Sequence, residues 1–356
     1  MLTNTDLTKS EFEIGIYTLG DIVPDPYTGK VVNARQRLQE IVESAKIAEE
    51  AGLDVFGVGE HHRLDFAVSA TPVVLGAISQ VTKKIKLTSA TSVLSTMDPV
   101  RLFEDYATLD LLSNGRAEII AGRGAFVESF PLFGYNLDDN AALFAENMDL
   151  FLKLSKNDRI SWDGNFRTPI HNAEIAPRPV QEQIPIWVGV GGSLESAARA
   201  GRFGAGMAMA ILDGDPSRFK PVADIYRKTA TETGHSLQNL KIGVTGHGYL
   251  AKTSQQAKDE YYPYYLNYKK YVGQQLGIGS NMNEAEYEQM LTPGGALFVG
   301  SPEQIIEKIL YQYEMFGHKR FVAQVDIGAI PFKKVAESIE LLATKVAPVV
   351  RKETIR

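Results

Sequence analysis

Three short stretches of this chain carry residue types that do chemistry. Asp54 to His62 reads Asp-Val-Phe-Gly-Val-Gly-Glu-His-His, an apolar run ending on one carboxylate and two imidazoles. Histidine titrates near neutral pH, so His61 is a candidate general acid or base; the bland alternative is a histidine hydrogen-bonded at a strand end. Glu60 and His62 are read as its support. Adjacent strand residues point to opposite faces, which keeps His61 and His62 from sharing one ion, and no metal site is expected. Ala121-Gly122-Arg123-Gly124 sets a guanidinium between glycines. Arg123 there either reaches an anion or pairs with a nearby acid. Ile184 to Ser193 runs from an apolar stretch into Gly191, Gly192 and Ser193. Unpaired N–H groups at a helix start attract phosphate, and the hydroxyls of Ser193 and Ser196 lie within its first turn. The same pattern also serves a plain capped helix after a tight turn. The spacing Gly189, Gly191, Leu194 lacks the third glycine of a dinucleotide fingerprint.

These groups need strands and helices to hold them. Apolar runs predict strands over Glu13–Tyr17, Asp54–Gly59, Ile85–Leu94, Glu118–Ala121, Ile184–Gly189, Met207–Ile211, Lys241–Leu250 and Arg320–Ile327. Helical spacing predicts Arg35–Ala51 with Gly52 as its C-cap, a helix opened by Pro72, and one from Pro99 to about Leu112 closed by Asn114-Gly115. Further helices fall near Asp138–Leu154, Ser193–Phe203, Pro216–Thr233, Pro302–Phe316 and Val335–Arg351. Ser155–Gln183 reads as a long irregular excursion. Eight strand–helix units in series predict a (β/α)8 TIM barrel in one domain over residues 1–356, with insertions, the largest after the seventh strand. In such a barrel the C-terminal ends of the strands form the catalytic rim, where His61 and Arg123 fall.

Composition narrows the partners. The chain has 356 residues, 44% hydrophobic and 22% charged, with a net charge of −6, as a water-soluble globular protein does. The acidic balance argues against nucleic acid and against an anionic membrane surface. Cysteine is absent, which removes disulfides, thiolate zinc sites and a cysteine nucleophile together. The first 13 residues show no apolar signal-peptide core, and no stretch is apolar enough to span a membrane, so a cytoplasmic location is expected.

The stretch Asp98 to Gly134 contains Asp-Pro-Val-Arg-Leu-Phe-Glu-Asp-Tyr, Ser-Asn-Gly-Arg-Ala-Glu, Ala-Gly-Arg-Gly and Phe-Pro-Leu-Phe-Gly. With Glu60-His61-His62 before it and the Gly-Gly-Ser turn after it, this block resembles the bacterial luciferase-like flavin monooxygenases. The resemblance covers Glu13 to Leu250 and the last strand and helix. It implies reduced FMN as co-substrate, or a deazaflavin in some branches, and oxidation of a small organic substrate by O2 through a flavin C4a-hydroperoxide. By position, Arg123, Ser193, Ser196 and the Gly192 backbone would hold the FMN phosphate. Ala90 and Thr91 fall where relatives carry a non-proline cis peptide beneath the isoalloxazine, and His61 matches the histidine beside its reactive edge. The family also implies a homodimer through Pro72–Val81 and Pro99–Leu112. A separate flavin reductase is expected, since no nicotinamide fingerprint is present. Gly122 stands where luciferase has a reactive cysteine, which argues against light emission.

Residues 251–298 match nothing in luciferase that can be placed, and the substrate does not carry over. This tyrosine-rich segment, with Tyr261, Tyr262, Tyr264, Tyr265 and Tyr268, reads either as a lid over the rim or as a helix packed on the barrel surface. The rival functions are an NAD(P)H- or deazaflavin-linked oxidoreductase of the same fold, a sugar-phosphate barrel enzyme, and a non-catalytic flavin-binding protein.

Overall fold

The computed structural model describes residues 12–236, 238, 240–276 and 282–355. Its strands are β1 (Glu13–Thr18), β2 (Val55–Val58), β3 (Lys86–Ser89), β4 (Ser92–Val93), β5 (Ala117–Gly122), β6 (Arg159–Trp162), β7 (Ile170–Glu174), β8 (Ile186–Val190), β9 (Gly206–Ala210), β10 (Ile242–Leu250), β11 (Phe298–Gly300) and β12 (Arg320–Gln324). Eight of them, β1, β2, β3, β5, β8, β9, β10 and β12, pair in parallel in that order. β12 returns to β1, with Glu13 opposite Arg320 and Tyr17 opposite Gln324, so the sheet closes into a (β/α)8 barrel.

Local chemistry fixes the helix ends. Asn33 accepts from the Gln36 N–H to start Ala34–Ala51, and Gly52 ends it at φ 98°, a value glycine adopts freely. Asp98 accepts from the Val100 and Arg101 N–H groups ahead of Pro99, and Asn114 at φ 57° closes Pro99–Ser113. One face of each helix, Ile41, Ala45 and Ala48 or Leu102, Phe103 and Tyr106, is buried against the barrel.

The structure departs from the sequence reading in two places. The third strand does not run unbroken to Leu94. It stops at Ser89, the Ala90–Thr91 peptide is cis, and Ser92–Val93 resumes as β4 on β5. The excursion after Lys156 is not irregular: β6 and β7 form an antiparallel hairpin, with Ile160 and Trp162 buried beneath it. The largest insertion follows β10 and is mostly helical, Ser254–Leu276 and Glu284–Leu291, before β11 extends the sheet beside β10.

Charged groups fill the N-terminal end of the barrel. Arg320 on β12 donates to both carboxylate oxygens of Glu118 on β5, at 2.6 and 3.1 Å, and to Glu13 on β1. β12 and β5 stand four strands apart in the ring, so these side chains meet through its interior. Lys86 joins from β3, and the Arg320 guanidinium lies 4.3 Å over the Trp187 ring. Burial raises the Glu118 pKa, but Arg320 and Lys86 overcome it and hold the carboxylate down at about 2.

Candidate functional site

A cavity of about 660 Å³ opens at the opposite, C-terminal end of the strands. Its wall includes His61, Ala90, Thr91, Arg123, Ser193 and Ser196. The sequence-predicted residues, taken from four different strand ends, therefore converge on one concave surface. Gly192 is absent from the lining; its φ of 102° turns the chain, and a side chain there would meet Phe219 at 3.6 Å.

The anion end is built by β5 and β8. β5 ends on Gly122, where a Cβ would stand 2.6 Å from the Thr91 hydroxyl oxygen. The missing side chain lets Thr91 pack against β5. Arg123 follows, half-buried, and its guanidinium donates to the Ser196 hydroxyl at 3.3 Å. Among the described residues it forms no ion pair with a carboxylate. Ser193 caps the helix Leu194–Phe203 by accepting from the Ser196 N–H. The earlier N–H groups of that turn are left for an external acceptor, with the positive end of the helix dipole behind them. A half-buried guanidinium, two hydroxyls and a helix start are the donor set a phosphate monoester takes. The residues present thus fit the terminal phosphate of FMN.

The histidines sit apart from one another. His61 packs on Phe66, ring centroids 4.1 Å apart, and edge-on to Phe126 at 4.7 Å. Its Nδ1 lies 3.7 Å from Glu128. Burial raises the Glu128 carboxyl, but contacts from His61 and the His62 N–H outweigh it, so its pKa is lowered and it stays an anion facing the ring. His62 instead bonds Glu60 at 2.9 Å, and the other Glu60 oxygen accepts from the Val93 N–H at 3.1 Å. Glu60 and His62 thereby tie the end of β2 to the start of β4. Among the described residues no cluster of three or more ligating side chains could hold a metal ion.

Sequence reasoning missed five groups on the same wall or behind it: Tyr17, Glu128, Arg218, Thr245 and Gln324. Glu128 comes from a loop, where periodicity says nothing, and Arg218 from the single helical turn Pro216–Phe219, too short to show a face. Gln324 carried a readable signal, as a polar residue inside the apolar run Phe321 to Val325. The tyrosine-rich helix Ser254–Leu276 lies on the barrel, with Tyr261, Tyr264, Tyr265 and Tyr268 buried. Tyr249, Tyr261 and Tyr265 stack in sequence, and Tyr268 and Val272 reach the cavity wall.

Comparison with known proteins gives the family and the fold. Residues 12–319 match the model of a family described as luciferase-like monooxygenase. The oxygenase component of the flavin-dependent trigonelline monooxygenase of Acinetobacter baylyi is 24% identical over 337 residues, covering 88% of this chain and 90% of that protein. Two solved structures share the fold. The monooxygenase RslO1 of Streptomyces bottropensis has a TM-score of 0.83 at 22% identity, covering 95% of this chain and 99% of that one. The oxygenating constituent of 3,6-diketocamphane monooxygenase from Pseudomonas putida, in complex with FMN, has a TM-score of 0.76 at 20% identity, over 95% and 98%. Among the described residues no helix is long and apolar enough to cross a membrane.

Proposed function

Because the chain belongs to the luciferase-like monooxygenase family, we propose that it is the oxygenase component of an FMN-dependent monooxygenase acting on a small organic substrate. Reduced FMN, delivered by a separate reductase, supplies the electrons with which dioxygen is activated. The observation that carries this reading is Arg123, joined to Ser196 at a capped helix start and paired with no carboxylate among the described residues. A half-buried cation without a counter-ion is costly unless a ligand completes it.

Each residue then has a task. Arg123, Ser193 and Ser196 grip the phosphate. Ala90 and Thr91, which line the cavity with Gly122 leaving space for Thr91 behind, would support the ring system. His61 is the catalytic acid or base: Phe66 and Phe126 fix its ring, and the Glu128 carboxylate faces its Nδ1. The helix Ser254–Leu276 covers the rim and keeps water from the reacting centre, and residues 251–298 work as that cover within a single domain. Two copies associate through the outer faces of Thr71–Val81 and Pro99–Ser113, where Val73, Val81 and Leu112 are exposed.

The deciding experiment titrates the protein with FMN, FAD and a deazaflavin, oxidised and reduced, by absorbance and thermal shift. Selective binding of reduced FMN, with oxygen uptake that needs no other protein once the flavin is reduced, is the expected result. Preference for the deazaflavin, or turnover with NADPH and FMN alone, overturns the reductase-fed oxygenase. Flavin binding without oxygen uptake assigns a non-catalytic carrier instead.

A further inference from the structure

Opposite the phosphate grip lies a polar row that none of the roles above uses. In the parallel register Gln324 on β12 stands beside Tyr17 on β1 and His247 on β10. Laterally paired residues of a parallel sheet point to the same face. Tyr17, Gln324 and Thr245, two residues before His247, all line the cavity, so the row faces inward. Gln324 is fully buried, and neither its amide oxygen nor its amide nitrogen has a hydrogen-bond partner among the described residues. Nδ1 of His247, 4% exposed, is also without one. Tyr268 closes over the row, its ring 5.2 Å from that of His247. Three unpaired polar atoms in one buried patch cost free energy, and such groups are retained where a ligand completes them.

The surroundings set the ligand's charge. Burial, then Lys269, pushes the His247 ring down to about 4, against Gln324 and Asp213, so it is neutral at physiological pH. Lys269 is engaged with Asp213 at 3.7 Å, and Arg37 behind the row binds Asp326 at 2.6 Å and faces Asp21 at 3.6 Å. The two cations nearest the row, Lys269 and Arg37, are thus both engaged with carboxylates rather than open to an anionic ligand. Tyr17 and Tyr268 supply flat apolar faces, and Leu19 and Val272 continue the wall. β12 lies across the ring from β5, so a ligand on this row sits on the side of the cavity opposite Arg123.

We propose that Tyr17, Gln324 and His247 form the recognition wall for the organic substrate, a neutral ring-bearing molecule that presents a hydrogen-bond donor beside an acceptor, as a carboxamide, lactam or hydroxy-ketone does. The assignment to substrate rests on the flavin reading above; the open donor–acceptor pair does not.

Calorimetry with benzamide, benzoate and toluene tests it on the full chain, with and without saturating FMN. Benzamide is expected to bind at least about tenfold more tightly than toluene, the size of one net hydrogen bond, and more tightly than benzoate. Gln324→Met, close in volume, should bring benzamide to the level of toluene while leaving FMN affinity unchanged. His247→Phe, which keeps a flat ring and removes the unpaired Nδ1, decides the question if Gln324→Met fails to fold, by the same loss of preference. Equal binding of the three probes to the parent protein, an undiminished preference in the variants, or a selective loss of FMN affinity each overturns the proposal. Failure to bind FMN at all removes the flavin reading, while the probe ranking on the flavin-free protein still decides whether the row is a donor–acceptor site.

Discussion

Arg123→Ala isolates the phosphate grip. The guanidinium is half-buried, touches Ser196 and meets no carboxylate among the described residues, so its removal frees no internal acid to repel the ligand. The loss should therefore equal the charge-assisted bonds to the phosphate, about 1.5–3 kcal/mol, or roughly 10- to 150-fold in the dissociation constant for FMN. Arg123→Lys keeps the charge without the planar fork and should fall between parent and alanine variant. Riboflavin, which lacks the phosphate, provides the control. Its affinity should be the same in all three proteins, and the gap between FMN and riboflavin should shrink by the full factor in the alanine variant. Fluorescence quenching titrations at two salt concentrations suffice, and the gap should narrow with salt in the parent more than in the variant. An equal loss for FMN and riboflavin would falsify the phosphate assignment, because the arginine would then be shaping the cavity rather than binding an anion.

Other perturbations follow from neighbouring contacts. His61→Ala should leave FMN affinity within about twofold and slow turnover by about 10²–10⁴, the usual yield of acid–base catalysis; an unaffected rate with flavin bound removes His61 from the chemistry. Gly122→Ala places a Cβ 2.6 Å from the Thr91 hydroxyl oxygen, so Thr91 must shift, and weaker binding of FMN and riboflavin alike should be seen by the same titration. Lys308, buried and pushed down to about 7 by desolvation, donates to the carbonyls of Met290 and Leu297. From pH 7 to about 10.5 the unfolded chain binds the proton that the folded one has lost, so this group makes stability rise with pH there. Lys308→Met should flatten that rise in denaturant melts; an unchanged slope shows that the lysine is not the source.

The fold was legible because its signals are local and repeated. Apolar runs, Asn33 and Asp98 caps, and the left-handed stops at Gly52 and Asn114 all report on a few neighbouring residues. What failed to show depends on distant partners. The break after Ser89 requires β5 to take over the pairing at Ser92, and the β6–β7 hairpin hides in a polar stretch because its outer face is exposed. The same division holds at the cavity. Arg123 and Ser193 stood out by glycine and capping patterns, and the contact between Arg123 and Ser196 then followed from the ring order of β5 and β8. Glu128 and Arg218 did not, since neither a loop residue nor one in a single helical turn advertises a direction. The Tyr17–Gln324–His247 row could not be read at all until strand register placed three residues, more than 300 positions apart at the extremes, at one level.

The ionic cluster of Glu13, Lys86, Glu118 and Arg320 makes the barrel a blind alley. With its floor corked, nothing passes through the barrel from end to end, and visitors to the cavity share its doorway at the top. Whatever settles deepest must enter first and leave last, so the protein's architecture imposes a queue: a spent occupant lying nearer the exit has to depart before one beneath it can be exchanged. Traffic order would then be written into the scaffold itself, independently of how strongly each guest is held.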